Sequence, residues 1–147
     1  MSKLASTDGA AGWEHFEHGA DVGLRAWGPT LEAMLEQAGI ALTAAVTCPA
    51  SVRPSERIAI EIRGRDPETL LYDWLNSLVY EMAVDRLLFA RFQVHRRDGG
   101  LAAEAWGEPI DVARHAPAVE VKGATYTALN VSRLPDGGWL GECVIDV

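Results

Sequence analysis

Cysteine, lysine and long apolar runs are what this chain has least of, and each scarcity narrows the reading. Cys48 and Cys143 have no partner at CxxC spacing, which argues against a zinc knuckle or a thioredoxin-type redox site. Both are expected to be reduced and half-buried, the habit of free cysteine, with no disulfide. No apolar stretch approaches the roughly 20 residues that a membrane-crossing helix needs. The opening MSKLASTDGAAG lacks the apolar core of a signal peptide, so residues 1–12 read as a flexible leader and the cytoplasm as the expected location. Also missing are a GxxxxGKS/T loop, a dinucleotide GxGxxG after a strand and a GxSxG elbow, so nothing supports an autonomous nucleotide-consuming or covalent enzyme. Thirteen basic residues, of which only Lys3 and Lys122 are lysine, face twenty-one acidic ones, for a formal net charge of −8. Phosphate backbones repel such a surface, so direct nucleic-acid binding is not expected. Any RNA would be held by a partner protein.

What is present is a composition of 48% apolar and 23% charged residues over 147 positions, enough for one globular domain with a core that needs no disulfide staple. We place that domain at residues 13–147. Residues 22 to 27 alternate and read as a strand. Pro29 and Thr30 then start a helix whose stripe is Leu31, Met34, Leu35, Ala38 and Leu42, and it should end near Val46, before Cys48-Pro49. ERIAIEIRG is a half-exposed strand on its isoleucine alternation. Asp66 caps a second helix with Pro67 in its first turn and a broad stripe from Leu70 to Met82, predicted to be the longest and most buried. Asp98-Gly99-Gly100 marks a hairpin, and two last strands are joined by Pro135-Asp136-Gly137-Gly138. The order β-α-β-α-β-β-β-β predicts an α+β fold in which two helices pack on one face of a largely antiparallel β-sheet. The five tryptophans read as packing residues rather than base-stacking platforms, given the acidic charge.

Two regions are dense in chemistry. In HFEHGADVGLRAWG, Asp21 stands at the entrance to a strand, either as a turn residue accepting backbone N–H groups or as a carboxylate held for a cation. The chain closes on CVIDV, with Asp146 beside the Val147 terminus. Such crowded oxygens suit a hard divalent ion such as Ca²⁺ or Mg²⁺, and Asp21, Asp146 and Val147 could share one if the first and last strands are neighbours. A frayed, solvated tail is the other reading. The second region sets Glu108, Asp111, Arg114, His115, Glu120 and Lys122 close together in an expected loop, either a contact or acid–base surface or a solvated set of weak ion pairs. His115 could carry protons, but His18 and His95 lack a spacing that would complete a zinc site with it.

EHGADVGLRAWG, LLYDWLNSLVYEM, LLFARFQV, AWGEPIDVARHAPAVEVKGATYTALNV and GGWLGECVIDV, in that order from Trp13 to Val147, together resemble the archease family. The resemblance implies a small α+β accessory protein, itself without catalytic residues. Such a protein activates an RtcB-type RNA ligase in tRNA splicing and RNA repair by promoting guanylylation of the ligase histidine with GTP and repeated turnover. It implies a divalent metal site, most often calcium, with Mg²⁺ or Mn²⁺ as alternatives, held by Asp21, Asp146 and Val147. His18, His115, Glu120 and Lys122 fall in the family's blocks and are candidates for ligase contact. The sequence departs from the family at Gly19, where threonine is usual, and at Thr127, where Thr125-Tyr126-Thr127 replaces T-Y-H. The latter would suit a divergent partner. Two other classes are weighed: a chaperone-like binding module for an RNA-modifying enzyme such as a tRNA methyltransferase, and a metal-dependent hydrolase using Asp21 with His115, which would turn over substrate alone.

Overall fold

The computed structural model describes residues 10–147. The expected leader lies outside the described residues up to residue 9, and Gly12 already belongs to a strand. The elements are β1 (Gly12–His18), β2 (Asp21–Gly28), α1 (Leu31–Val46), β3 (Glu56–Arg63), α2 (Pro67–Val84), β4 (Leu87–Arg97), β5 (Gly100–Pro109), α3 (Val112–His115), β6 (Gly123–Ala124), β7 (Asn130–Arg133) and β8 (Trp139–Asp146), with a single 3-10 turn at Pro49–Ser51. Both long helices start where the sequence signals them. The Thr30 side chain accepts the Ala33 N–H and the Asp66 side chain the Thr69 N–H, each filling one of the donors that a helix start leaves open. Beyond α2, Arg86 takes a left-handed φ of 56° and turns the chain into β4.

Every strand pair is antiparallel, and the strands divide between two sheets rather than one. One runs β1-β2-β8, with β6 and β7 both pairing along the far edge of β8; the other runs β3-β5-β4. α1 touches both sheets, which is why none of its residues is exposed. On one side the bare Cα of Gly141 in β8 makes room for Met34. On the other, Thr43 Oγ1 donates to the Phe89 carbonyl at 2.6 Å and the Glu36 carboxylate accepts the Val94 N–H at 2.9 Å. α2 closes the core through Trp74, whose Nε1–H donates to the Leu35 carbonyl at 2.8 Å while its ring meets Phe92 edge-on. The other four tryptophans are half-buried, two of them beneath the guanidinium groups of Arg91 and Arg133.

The sequence reading missed three elements. β1 carries Trp13, His15 and Glu17 on one side and Glu14, Phe16 and His18 on the other, so apolar and polar residues fall on both sides and no period-2 signal survives. β6 is two residues long, too short to show a period. α3 is one helical turn inside the expected loop, capped by Asp111 and closed by Ala116 at φ 46°. The cysteines also split: Cys143 is buried on the inner face of β8, where burial pushes its thiol up to about 11, and Cys48 is exposed beside the 3-10 turn instead of half-buried. No helix among the described residues is long and apolar enough to cross a membrane.

Candidate functional site

Neighbouring β2 and β8 bring the start of the domain to its tail. Their register pairs Val22 with Ile145, Leu24 with Cys143 and Ala26 with Gly141; Asp21 and Asp146 are the next residue of each strand beyond the last pair, and the register carried one step further would set them across from each other. Residues directly opposed in an antiparallel pair hold their Cβ atoms about 5 Å apart on the same face. Leu24, Ala26, Cys143 and Ile145 are buried in the core; by alternation Asp21 and Asp146 belong to the opposite face, away from the helices. Both are half-buried. The β1–β2 register pairs His18 with Asp21, which adds an exposed imidazole to the same end of the sheet.

The hairpin that sets this geometry has only Gly19 and Ala20 between its strands. Gly19 has φ +60° and Ala20 is not in the positive-φ region, the pattern of a type II′ turn, which favours glycine at its first central position. Glycine at 19, a departure from the family pattern, therefore has a local reason. Gly19→Ala meets no neighbouring atom, yet it should destabilise the domain by about 1 kcal/mol through backbone strain alone. Urea denaturation of the variant checks this.

On the other side of β8, the Lys122 N–H donates to the Asp146 carbonyl at 2.8 Å, and Gly123 pairs with Asp146. The segment is pinned from α2, where Asn76 Oδ1 accepts the Ala124 N–H at 2.9 Å. It continues along the edge of β8 to Thr127, whose carbonyl accepts the Val144 N–H at 3.2 Å and whose side chain is exposed. Lys122 is thus beside the acidic corner with an exposed amine. Glu120 is exposed too, but it lies on the other side of buried Val121, lining a cleft of about 410 Å³ with Arg86 and Met82. The Tyr126 ring, 73% exposed, stacks on Tyr72 of α2 with centroids 4.3 Å apart. Neither Asn76 nor this aromatic pair stands out in the sequence: asparagine in mid-helix and tyrosine in a loop have no spacing of their own.

His115 is not part of this corner. It is 3% exposed and locked from both ring nitrogens. The Asp111 N–H donates to Nδ1 at 2.9 Å, so the proton sits on Nε2, which donates to Glu108 Oε2 at 3.0 Å. Its carbonyl also accepts from the Thr47 hydroxyl at 2.6 Å. Glu108 receives the Arg53 N–H and the Arg114 guanidinium as well, the latter at 2.5 Å. The Arg114 guanidinium, then the Arg53 amide, hold the Glu108 carboxyl down at about 2, against 4.5 in an unperturbed glutamate. A depressed carboxyl contributes stability that is complete above the unfolded value and is lost as pH falls. The urea midpoint of the native chain should therefore drop between about pH 4.5 and 2 more steeply than that of Glu108→Gln. The network joins the end of β5, α3 and the 3-10 turn, a structural task that leaves His115 no free face for a partner or for a hydrolytic role with Asp21.

Among the described residues no three His, Cys, Asp or Glu side chains converge as a ready-made metal cluster. What the corner offers is two opposed carboxylates, with carbonyl oxygens beside them at the end of β8. That donor set is all hard oxygen and suits calcium or magnesium rather than zinc.

The family model of the archease protein family matches residues 13–147. Among curated proteins, the archease of Pyrococcus furiosus is 39% identical over 139 residues, covering 92% of this chain and 98% of the relative. That of Methanopyrus kandleri is 38% identical, with 92% and 99% covered, and that of the catfish Ictalurus punctatus is 33% identical over 123 residues. The solution structure of Methanobacterium thermoautotrophicum protein 1598 superposes with a TM-score of 0.76 at 29% identity, covering 92% of this chain and 99% of that one.

Proposed function

The chain belongs to the archease family, and on that premise we propose that it activates an RtcB-type RNA ligase in the cytoplasm, promoting guanylylation and repeated turnover in tRNA splicing and RNA repair. In the reaction it assists, an imidazole nitrogen of the ligase attacks the α-phosphorus of GTP, GMP becomes bound to that nitrogen, and pyrophosphate leaves. The accessory protein supplies no atom to this exchange. The observation that supports the reading is the antiparallel pairing of β2 with β8 up to Val22 and Ile145, with Asp21 and Asp146 the next residue of each strand at an accessible end of the sheet.

Asp21, Asp146 and an oxygen of Val147 are the groups that would hold a divalent cation, calcium first, with magnesium or manganese as alternatives. When bound, such an ion supplies positive charge that offsets phosphate or carboxylate repulsion. The protein's own residues do the rest. The tight Gly19-Ala20 turn fixes Asp21 and His18, the Asn76 contact fixes the 122–125 segment, and Lys122 stands ready as a cation beside the corner for an anionic group of the ligase site. The net charge of −8 suits a partner that must itself be basic to grip RNA, and steers their encounter.

The test is ligation by the cognate purified ligase, held at substoichiometric concentration, with and without this protein. Repeated turnover and faster appearance of guanylylated ligase are the expected results. A ligase indifferent to the protein at every ratio would overturn the proposal.

A further inference from the structure

The three-stranded sheet treats its two edges differently. Along β4, α1 covers the edge: the Glu36 carboxylate takes the Val94 N–H and the Thr43 hydroxyl takes up the Phe89 carbonyl. β3, at the other edge, pairs among the described residues only with β5. Its open groups follow from the register. The Gly64 N–H donates to the Gly99 carbonyl at 2.8 Å, on the same antiparallel register that pairs Arg63 with Gly100. Residues 58, 60 and 62 therefore turn their backbone groups toward β5, and Arg57, Ala59, Glu61 and Arg63 turn theirs outward. All four of these are exposed. A row of unpaired strand amides and carbonyls is a template for another chain unless something blocks it.

Instead of a block there is a trough. A groove of about 590 Å³ runs between residues 59–63 of β3 and α2. Its far wall is a polar helical stripe, with Asp73, Ser77, Tyr80 and Glu81 at one-turn spacing. Five residues of extended chain span roughly 17 Å, so this length of β3 can register one short segment. The charges are lopsided: among the described residues Glu61, Asp73 and Glu81 line the groove against one cation, Arg63. Asp85 is a neighbour of Glu81, and burial followed by that second carboxylate raises the Glu81 pKa, a sign of crowded negative charge that a guest cation would relieve.

We propose that the open edge of β3 and the acidic wall of α2 form a docking groove that captures an extended, basic segment of a protein partner by strand addition. The outward backbone groups of Ala59, Glu61 and Arg63 supply the hydrogen bonds, and Asp73 and Glu81 select lysine or arginine on the guest's alternate positions. The groove shares Asn76 with the support of the 122–125 segment but holds neither Asp21 nor Asp146, and the inference does not depend on the activity of that corner.

The experiment titrates a hexapeptide of alternating valine and lysine into the full chain, followed by amide hydrogen exchange and by calorimetry. Protection should appear at the amides of Ala59, Glu61 and Arg63. Ala59→Pro removes one outward N–H at an edge position that tolerates proline, and Glu81→Lys reverses the charge of the wall; each should weaken binding at least tenfold. Should the proline variant fail to fold, Glu61→Lys and Glu81→Lys carry the test. The proposal fails if a valine–glutamate peptide binds as well as the basic one, if neither peptide binds, or if protection falls elsewhere. It also fails if the chain alone dimerises through this edge in sedimentation, which would make a second copy the occupant.

Discussion

Asp146→Ala is expected to leave the domain folded and to remove most of its stimulation of ligase guanylylation, and Asp21→Ala to do the same. Among the described residues neither carboxylate has a side-chain partner in the fold; the backbone of Asp146, which accepts from Lys122, is untouched by the change. Truncation therefore takes away an oxygen donor without opening the core. The loss should be at least about tenfold, the scale on which even outer-shell groups of metal sites act. A thermal-shift titration separates the metal from the partner. At a calcium concentration a hundred times Kd, a ligand that binds only the native state adds about 2.7 kcal/mol, so the native chain should melt higher and Asp21→Asn and Asp146→Asn should not respond. Undiminished turnover for both alanine variants would sink the acidic-corner mechanism while leaving family membership untouched.

Trp74→Ala should be the most damaging single change to the fold, at about 3–5 kcal/mol. The indole is fully buried, wedged between α1 and Phe92, and its removal leaves a cavity and takes from the Leu35 carbonyl the donor it has beyond its own helix. Against the roughly 5–15 kcal/mol that holds a typical domain together, that is enough to populate unfolded forms at physiological temperature. Trp74→Phe, which keeps most of the apolar volume but not the N–H, should lose clearly less. The effect should reach the acidic corner, because α2 holds that side of the molecule. Asn76 Oδ1 accepts from Ala124, and Glu68 accepts the Val131 N–H at 3.1 Å. Hydrogen exchange at Ala124 should accelerate in the alanine variant. A destabilisation below about 1 kcal/mol would show that the site collapses around the cavity more completely than close packing allows.

The two long helices were legible because their signals are local. Thr30 and Asp66 cap within three residues of themselves, and Leu31 to Leu42 and Leu70 to Met82 repeat at the period of one helix turn. The hairpins at Asp98-Gly99 and at Pro135 to Gly138 were legible for the same reason. β1 was not, since neither of its sides is uniformly apolar, and β6 exists only because Asn76 and β8 hold two residues in place. His115 shows the limit most clearly. In the sequence it is one ionisable group in a charged stretch, equally suited to a contact surface. Its fate was decided by Glu108 and Asp111, just upstream of it, together with Thr47, which reaches it from 68 residues away.

By itself the sequence determined the positions of the two long helices, the antiparallel α+β class and, through motifs in a fixed order, the family. It also named Asp21, Asp146 and Val147, but as residues at opposite ends of a chain whose meeting was conditional. Only tertiary structure decided that β2 lies beside β8, that the strands separate into two sheets with α1 between them, and that the edge of β3 stays open. Local signals are written in neighbouring residues, because caps and turns are satisfied within a few positions. Strand pairing depends on backbone groups that every sequence shares, so its partners are chosen by how the whole core packs.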